Sequence, residues 1–168
     1  MKKLIIAGFA GIGKTTLAKK YKNVIDLESS PYKWDYSKLE NIDYEKMKGN
    51  LDRKPNPNFP NNYINAIKEA IKNYDIICVW LNFENAFPYY EEHNIEYTIC
   101  YPSKEAFEDY RKLYIKRGNN EDWINKVCSH YYKVFSKLGA LTKPKIILNK
   151  GETLEDVLIK QGVKLIKK

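Results

Sequence analysis

Short apolar segments alternate with amphipathic segments along the whole chain. Five apolar segments predict strands, and six amphipathic segments between and after them predict helices. The predicted strands cover residues 2–7, 23–27, 76–81, 95–101 and 145–148. The predicted helices cover residues 14–21, 62–73, 85–93, 104–116, 121–138 and 154–161. This alternation predicts one α/β domain over residues 1–168, doubly wound around a parallel sheet.

The first strand runs directly into a glycine-rich segment. Residues 8–15 read G-F-A-G-I-G-K-T, which matches the P-loop pattern G-x-x-x-x-G-K-[ST]. Glycine lets backbone N–H groups approach a phosphate closely, and the next helix directs its N-terminus toward the anion. Lys14 is expected to reach the β- and γ-phosphates of ATP, and the Thr15 hydroxyl to bind Mg²⁺. The predicted nucleotide-binding residues are Gly8, Ala10, Gly11, Ile12, Gly13, Lys14, Thr15 and Thr16.

Acidic residues near the ends of two strands are candidates for chemistry. Asp26 lies near the end of the second strand, and Glu28 shares its face if the extended conformation continues. The third strand is followed by Asn82, where a Walker B strand has an acid. Glu84 is a possible substitute, although an acid is also favourable at the start of the next helix.

A long polar stretch with aromatic residues, residues 29–62, separates the second strand from the next helix. Residues 42–48 predict a short helix. Residues 53–62 contain three prolines within six positions, which predicts irregular structure. The stretch is interpreted as an acceptor-binding segment, and a surface loop that packs its own aromatics is the alternative.

Composition narrows the class of protein. The chain has 168 residues, 43% hydrophobic and 30% charged, as is typical of a globular domain. The net charge of +8 fits an anionic partner, but the lysines are dispersed, which favours a solvated surface. No apolar run is long enough to span a bilayer, so a cytoplasmic location is expected. Cys78, Cys100 and Cys128 predict buried thiols.

On these features the chain resembles the P-loop nucleoside and nucleotide kinases, and in particular small kinase-like proteins of phages and bacteria. The resemblance rests on the P-loop, the acid after strand two and the basic helices after strand four. The R-G-N at 117–119 and the L-N-K-G-E-T-L-E at 148–155 add to it. It implies a P-loop NTPase fold, with a five-stranded parallel sheet, helices on both faces and a helical lid.

The resemblance also implies roles for individual residues. Residues 103–138 would form the lid, which places Arg111 and Arg117 on the transferring phosphoryl group. Asn149, Lys150 and Gly151 would border the adenine. Because strand three lacks its acidic end, Mg²⁺ would be held by Thr15, phosphates and water, with Asp26 or Glu28. Lys14, Arg111, Arg117 and Asp26 are therefore the predicted catalytic residues.

The sequence is compatible with two chemical classes of phosphoryl acceptor, a monophosphate and a hydroxyl group. A monophosphate is already a nucleophile and needs cations, whereas a hydroxyl gains from a carboxylate base. The expected activity is that of a nucleoside or deoxynucleoside monophosphate kinase. The alternatives are a kinase for hydroxyl groups, on nucleosides or polynucleotide 5′ ends, and a nucleotide-binding regulatory protein that transfers nothing. Nucleic acid is possible but not favoured. The predicted substrate-binding residues are Asp26, Ser29, Ser30, Trp34, Arg53, Phe59 and Tyr63.

Overall fold

The computed structural model of the protein describes residues 3–37 and 53–168. Strands and helices alternate through both ranges. The strands are β1 Leu4–Gly8, β2 Val24–Asp26, β3 Trp34–Asp35, β4 Lys54–Pro55, β5 Ile76–Trp80, β6 Thr98–Pro102 and β7 Lys145–Leu148. The helices are α1 Lys14–Lys20, α2 Ser30–Lys33, α3 Asn61–Asn73, α4 Phe87–Glu92, α5 Lys104–Lys116, α6 Glu121–Ala140 and α7 Leu154–Lys160.

Five strands form one parallel sheet in the order β2-β5-β1-β6-β7, so the predicted five-stranded parallel sheet is confirmed. The connection from β1 runs outward to the edge strand β2, whereas every later connection runs toward β7. With right-handed crossovers, α1 and α3 must lie on opposite faces of the sheet. Helix α7 contacts α1 and joins it on the same face.

The topology also predicts where a ligand binds. The chain leaves β1 toward one edge of the sheet and leaves its neighbour β6 toward the other edge. Such a reversal opens a crevice at the carboxyl ends of the two strands, where open α/β sheets bind their ligands. The glycine-rich segment that follows β1 begins at this crevice, and the N–H of Phe9 donates to the carbonyl of Cys100 in β6, at 2.8 Å.

The central strands are buried on both faces, as their continuous apolar sequences require. Ile6, Ala7, Ile77 and Val79 are fully buried in β1 and β5. The three cysteines are also buried, so the prediction of buried thiols is confirmed. No helix within the described ranges is both long enough and apolar enough to cross a bilayer.

The prediction for residues 29–62 is wrong in part. The start of this stretch folds into the one-turn helix α2, and β3 pairs in antiparallel fashion with β4. The proline-containing part therefore contributes Lys54–Pro55 to a two-stranded sheet, which a two-residue edge strand allows. The helix predicted at 42–48 lies outside the described residues.

The ends of the other strands and helices differ from the predicted ends by a few residues. The largest difference is in β6, which begins at Thr98 rather than at residue 95. Helix α4 is shorter at its start than predicted and begins at Phe87, since Asn82 ends β5 with a capped turn. The capping box of Thr153 and Asp156 at the start of α7 is present as predicted.

Candidate functional site

The glycine-rich loop, residues 8–15, connects β1 to α1 and has two residues with left-handed backbone. Gly11 has φ +87° and Gly13 has φ +101°, conformations that favour glycine. Within the described chain, the N–H groups of residues 10–16 donate to no backbone carbonyl. A run of unpaired N–H groups around left-handed glycines forms a concave anion-binding nest. The loop therefore has the backbone geometry that a phosphate group requires.

Lys14 folds back over the start of this loop. Its ammonium donates to the carbonyls of Gly8 and Phe9, both at 2.9 Å. A Cβ at Gly8 would lie 2.8 Å from the Cδ of Lys14, so the lysine stem passes directly over the glycine. The loop therefore holds the Lys14 charge at the carboxyl end of β1.

Asp26, the last residue of β2, is brought to the loop by the sheet. The Thr15 hydroxyl donates to Asp26 Oδ2 at 2.7 Å, and Asp26 lies opposite Cys78 in the register of β2 and β5. Burial raises the pKa of Cys78, which the Asp26 charge also raises and the Lys14 charge lowers. The Oδ1 atom of Asp26 is buried and has no hydrogen-bond partner among residues 3–37 and 53–168. A buried carboxylate oxygen of this kind favours a cation or a proton donor as its partner.

The end of β5 offers no carboxylate to this site. Asn82 Oδ1 accepts from the backbone N–H groups of Glu84 and Asn85, at 3.1 and 2.8 Å, and so caps a turn. Glu84 is exposed, and its charge acts on His130 of α6. Burial lowers the pKa of His130, and Glu84 opposes that shift. The structure therefore directs Glu84 toward α6.

Helix α5 packs directly on the glycine-rich loop. The Tyr114 hydroxyl donates to the carbonyl of Ala10 at 2.8 Å. A Cβ at Gly11 would lie 3.1 Å from the Tyr114 ring and 3.3 Å from the Tyr110 ring. Two features therefore favour glycine at position 11: its left-handed backbone conformation and the close packing of α5 on it. The loop is held between α5 and the sheet.

The two arginines predicted for catalysis lie in different surroundings. Arg111 donates to Asn125 Oδ1 of α6 at 2.9 Å, so its guanidinium links the two helices. Arg117 follows α5 and is exposed. Burial raises the pKa of Tyr110 to about 12, and the charge of Arg117 acts in the opposite direction. Tyr110 lies beside the loop, and Arg117 follows it by seven residues, or about two helical turns, so the two share one side of α5.

Residues 149–151 form the turn after β7, with Gly151 at φ +79°. The turn is exposed, and the Lys150 ammonium pairs with Asp109 of α5 at 3.4 Å. The N–H of Leu154 donates to the carbonyl of Ile12 at 3.1 Å, which fixes the start of α7 against the loop. The turn predicted for adenine therefore lies at the same edge as the glycine-rich loop.

The predicted substrate-binding residues are spread over several elements: Asp26 ends β2, Ser29 and Ser30 begin α2, Trp34 begins β3, Arg53 and Phe59 precede α3, and Tyr63 lies in α3. Ser29 is the N-cap residue of α2, and the Ser30 hydroxyl is 3.0 Å from that of Tyr36. Tyr63 is 2% exposed, so its ring is packed in the core and not available for stacking on a substrate. Its hydroxyl donates to the Leu27 carbonyl and accepts from the Trp80 N–H, both at 2.8 Å. Tyr63 therefore fastens the end of β2 to the end of β5.

Sequence analysis predicted Trp34 and Arg53 to bind a substrate but missed the two residues beside them, Lys33 and Trp80. We call these four residues the Lys33 cluster. The Lys33 ammonium lies 4.7 Å from the centroid of the Trp80 ring, and the Arg53 guanidinium lies 4.4 Å from that of Trp34. Trp80 lies opposite Gly8 in the register of β1 and β5, so the cluster adjoins the loop.

The residues at this edge fit a nucleotide and a magnesium ion. The loop N–H groups and Lys14 could hold phosphates, and Thr15 with Asp26 could hold Mg²⁺. Across residues 3–37 and 53–168, no three His, Cys, Asp or Glu side chains are grouped to hold a metal by themselves. Phosphate oxygens and water would therefore complete the magnesium shell, as is usual for this ion.

Comparisons of the chain with models of protein families, with curated proteins and with solved structures found no match.

Proposed function

We propose that the protein is an ATP-dependent phosphotransferase of the P-loop type, whose acceptor is a nucleoside or deoxynucleoside monophosphate. The observation that carries the proposal is the glycine-rich loop with its unpaired N–H groups, under the Lys14 ammonium. Sequence pattern and backbone geometry agree here, since Gly11 and Gly13 of this loop have the left-handed φ values that a phosphate nest needs. The coupled Thr15 and Asp26 side chains add a site for Mg²⁺.

A bound ATP supplies the phosphoryl group, and Mg²⁺ neutralises part of the phosphate charge. The residues of the chain bind and orient the phosphate groups. The loop N–H groups bind phosphate oxygens, and Lys14 moves from the Gly8 and Phe9 carbonyls to a phosphate. Helix α5 covers Ala10 and Gly11 of the loop through Tyr114 and Tyr110. Arg117, on the loop side of α5, is the better placed of the two arginines to meet negative charge.

A second candidate activity is phosphoryl transfer to a hydroxyl group. One observation favours it: Asp26 has a buried Oδ1 atom that finds no hydrogen-bond partner in the described part of the chain, and such an oxygen could accept the proton of a hydroxyl acceptor. The same atom could instead bind magnesium. Asp26→Asn distinguishes these roles, because loss of a base changes the pH dependence of transfer, whereas loss of a ligand raises the Mg²⁺ concentration required.

The proposal is tested by transfer from γ-labelled ATP with Mg²⁺ to a panel of acceptors. The panel contains ribo- and deoxynucleoside monophosphates, nucleosides and a 5′-hydroxyl oligonucleotide. We expect label on a monophosphate and none with Lys14→Ala, while Lys19→Ala, an exposed change on the same helix, remains active. Label on a hydroxyl alone would favour the second activity. ATP binding without any transfer would favour a nucleotide-binding regulatory protein, and absence of ATP binding would refute the proposal.

A further inference from the structure

Residues 164–168 run beside the turn that connects α1 to β2. The N–H of Lys22 in that turn donates to the carbonyl of Ile166 at 2.8 Å. The side chain of Asn23 is buried and forms two hydrogen bonds with backbone groups of residues 164–168, both at 2.9 Å. Breaking either bond would leave a buried polar group unsatisfied, which is unfavourable. The contact therefore firmly joins parts of the chain that lie 141 and 143 residues apart in sequence.

This contact gathers exposed lysines that are distant in sequence. Sequence analysis interpreted the lysines as dispersed over a solvated surface, but four of them lie at this contact. They are Lys22, Lys164, Lys167 and Lys168. None of the four forms an ion pair with a carboxylate within residues 3–37 and 53–168. Two acids beside the turn are already paired. Glu155 pairs with Lys20 at 2.6 Å, and Asp75 pairs with Lys3 at 3.4 Å. The surface is therefore positively charged.

A cleft of about 360 Å³ opens beside these lysines, along the edge strand β2, and we call it the β2 cleft. One end of the cleft is lined by Lys22, Tyr74 and Lys168, beside the start of β2. The other end is lined by Asp26 and Glu28, at the carboxyl end of the strand. The cleft is therefore cationic at one end and acidic at the other. Its volume lies in the range of pockets that bind small molecules.

We infer that the β2 cleft and the four lysines beside it bind single-stranded nucleic acid. Several unpaired cations on one surface match a row of phosphates better than they match a single anion. The half-buried Tyr74 ring adds a surface on which a base can stack. Grooves that combine cations with aromatic side chains are the usual means of binding single strands.

The shape of the β2 cleft favours this ligand over other polyanions. A cleft of this size admits single nucleotides of a strand, whereas a duplex is too wide for it. Its concave form does not fit the plane of a bilayer. The phosphates lie at the lysine end, because Asp26 and Glu28 repel them at the other end. The inference goes beyond the proposed function, since it adds a nucleic-acid ligand and does not depend on phosphoryl transfer.

The test is the binding of a labelled single-stranded DNA of about 12 nucleotides, measured by fluorescence anisotropy without ATP at about 50–200 mM salt. Each phosphate contact contributes about −0.7 to the slope of log affinity against log salt concentration, so four contacts give a slope of about −3. The double variant Lys22→Gln/Lys168→Gln should bind at least tenfold more weakly, with a slope less steep by about 1.4. Tyr74→Leu should weaken binding about fivefold or more and leave the slope unchanged.

The matched control is the double variant Lys104→Gln/Lys116→Gln, which removes the same net charge. Both lysines are exposed residues of α5 and form no ion pair with another described residue. Helix α5 follows β6, which β1 and β5 separate from β2 in the sheet. The control should keep the affinity and the slope of the parent chain. Urea denaturation checks that each variant is folded.

Equal weakening by the two double variants would overturn the inference, because the affinity would then depend on net charge alone. Absence of salt-dependent binding would also overturn it. The same holds if inorganic polyphosphate competes as well as the oligonucleotide, or if vesicles of anionic lipid bind and the oligonucleotide does not. Because the assay needs neither ATP nor turnover, its failure leaves the proposed phosphotransferase function intact. Failure of phosphoryl transfer likewise leaves this inference intact.

Discussion

The substitution Gly11→Ala tests whether α5 packs closely against the glycine-rich loop. The added Cβ would meet side chains of α5 on three sides, at 3.1 Å from Tyr114, 3.3 Å from Tyr110 and 3.4 Å from Leu113. The residue also has φ +87°, which alanine adopts at a cost. Gly13 has φ +101°, but no atom of the described ranges lies within 4 Å of its Cβ position. The two glycines therefore differ in how closely α5 packs on them, whereas both have a left-handed backbone that is unfavourable for alanine.

The expected magnitudes follow from these two terms. A left-handed backbone destabilises the folded state by about 1–2 kcal/mol when the residue is alanine. Alanine also reduces the conformational freedom of the unfolded chain, which offsets about 0.4–1 kcal/mol of this loss. Gly13→Ala should therefore lower the free energy of unfolding by about 1 kcal/mol. Overpacking adds about 1–3 kcal/mol for Gly11→Ala, which gives a total loss of about 2–4 kcal/mol. A loss of 3 kcal/mol corresponds to roughly 6–12 °C in Tm for a chain of this size.

Guanidinium denaturation at 25 °C, followed by tryptophan fluorescence, measures these differences. Gly139→Ala is the control, because Gly139 lies in α6, has no positive φ and has no atom within 4 Å of its Cβ position. That variant should not be less stable than the parent chain. If Gly11→Ala and Gly13→Ala lose the same stability within about 0.5 kcal/mol, the packing term is absent. The contact of α5 with the loop, and the position deduced for Arg117, would then be wrong.

Two further predictions concern the surroundings of the loop. Tyr114→Phe leaves the Ala10 carbonyl without its donor and should lower the free energy of unfolding by about 1–3 kcal/mol, measured by denaturation. Tyr101→Phe is the control, because it breaks no hydrogen bond of the described chain. Equal losses of stability in the two variants would contradict the role of Tyr114. Hydrogen bonds from Lys20 and Tyr21 hold the pKa of Glu155 below its ordinary 4.5, so this carboxylate stabilises the fold above that pH and loses its effect as the pH falls through and below it. The stability difference between the parent chain and Glu155→Gln should therefore shrink from pH 6 to pH 3 in urea titrations, and a constant difference would contradict this assignment.

Local patterns were sufficient to predict the elements and the loop. The apolar run at 76–81 predicted β5 because a strand buried on both faces needs apolar residues at every position. The glycines of residues 8–15 predicted a loop whose backbone can approach a phosphate closely, and Thr153 with Asp156 predicted a helix start. Each of these properties depends on a few neighbouring residues. The parallel sheet followed from the alternation of strands and helices, since such connections favour parallel strands.

Contacts between distant parts of the chain were decided by the tertiary structure alone. Tyr63 is predicted from sequence to bind a substrate, but α3 places it at the ends of β2 and β5, where its hydroxyl pairs with two backbone groups. Arg111 reads as a catalytic cation, but α6 supplies Asn125 as its partner.

The coupling of Thr15 to Asp26 and the packing of Lys33 on Trp80 depend in the same way on strand order and helix packing. No short-range pattern encodes which side chains meet across the sheet edge, because long-range packing sets these contacts. The sequence by itself therefore determined the loop that can hold a phosphate. The fold decided which charges surround it.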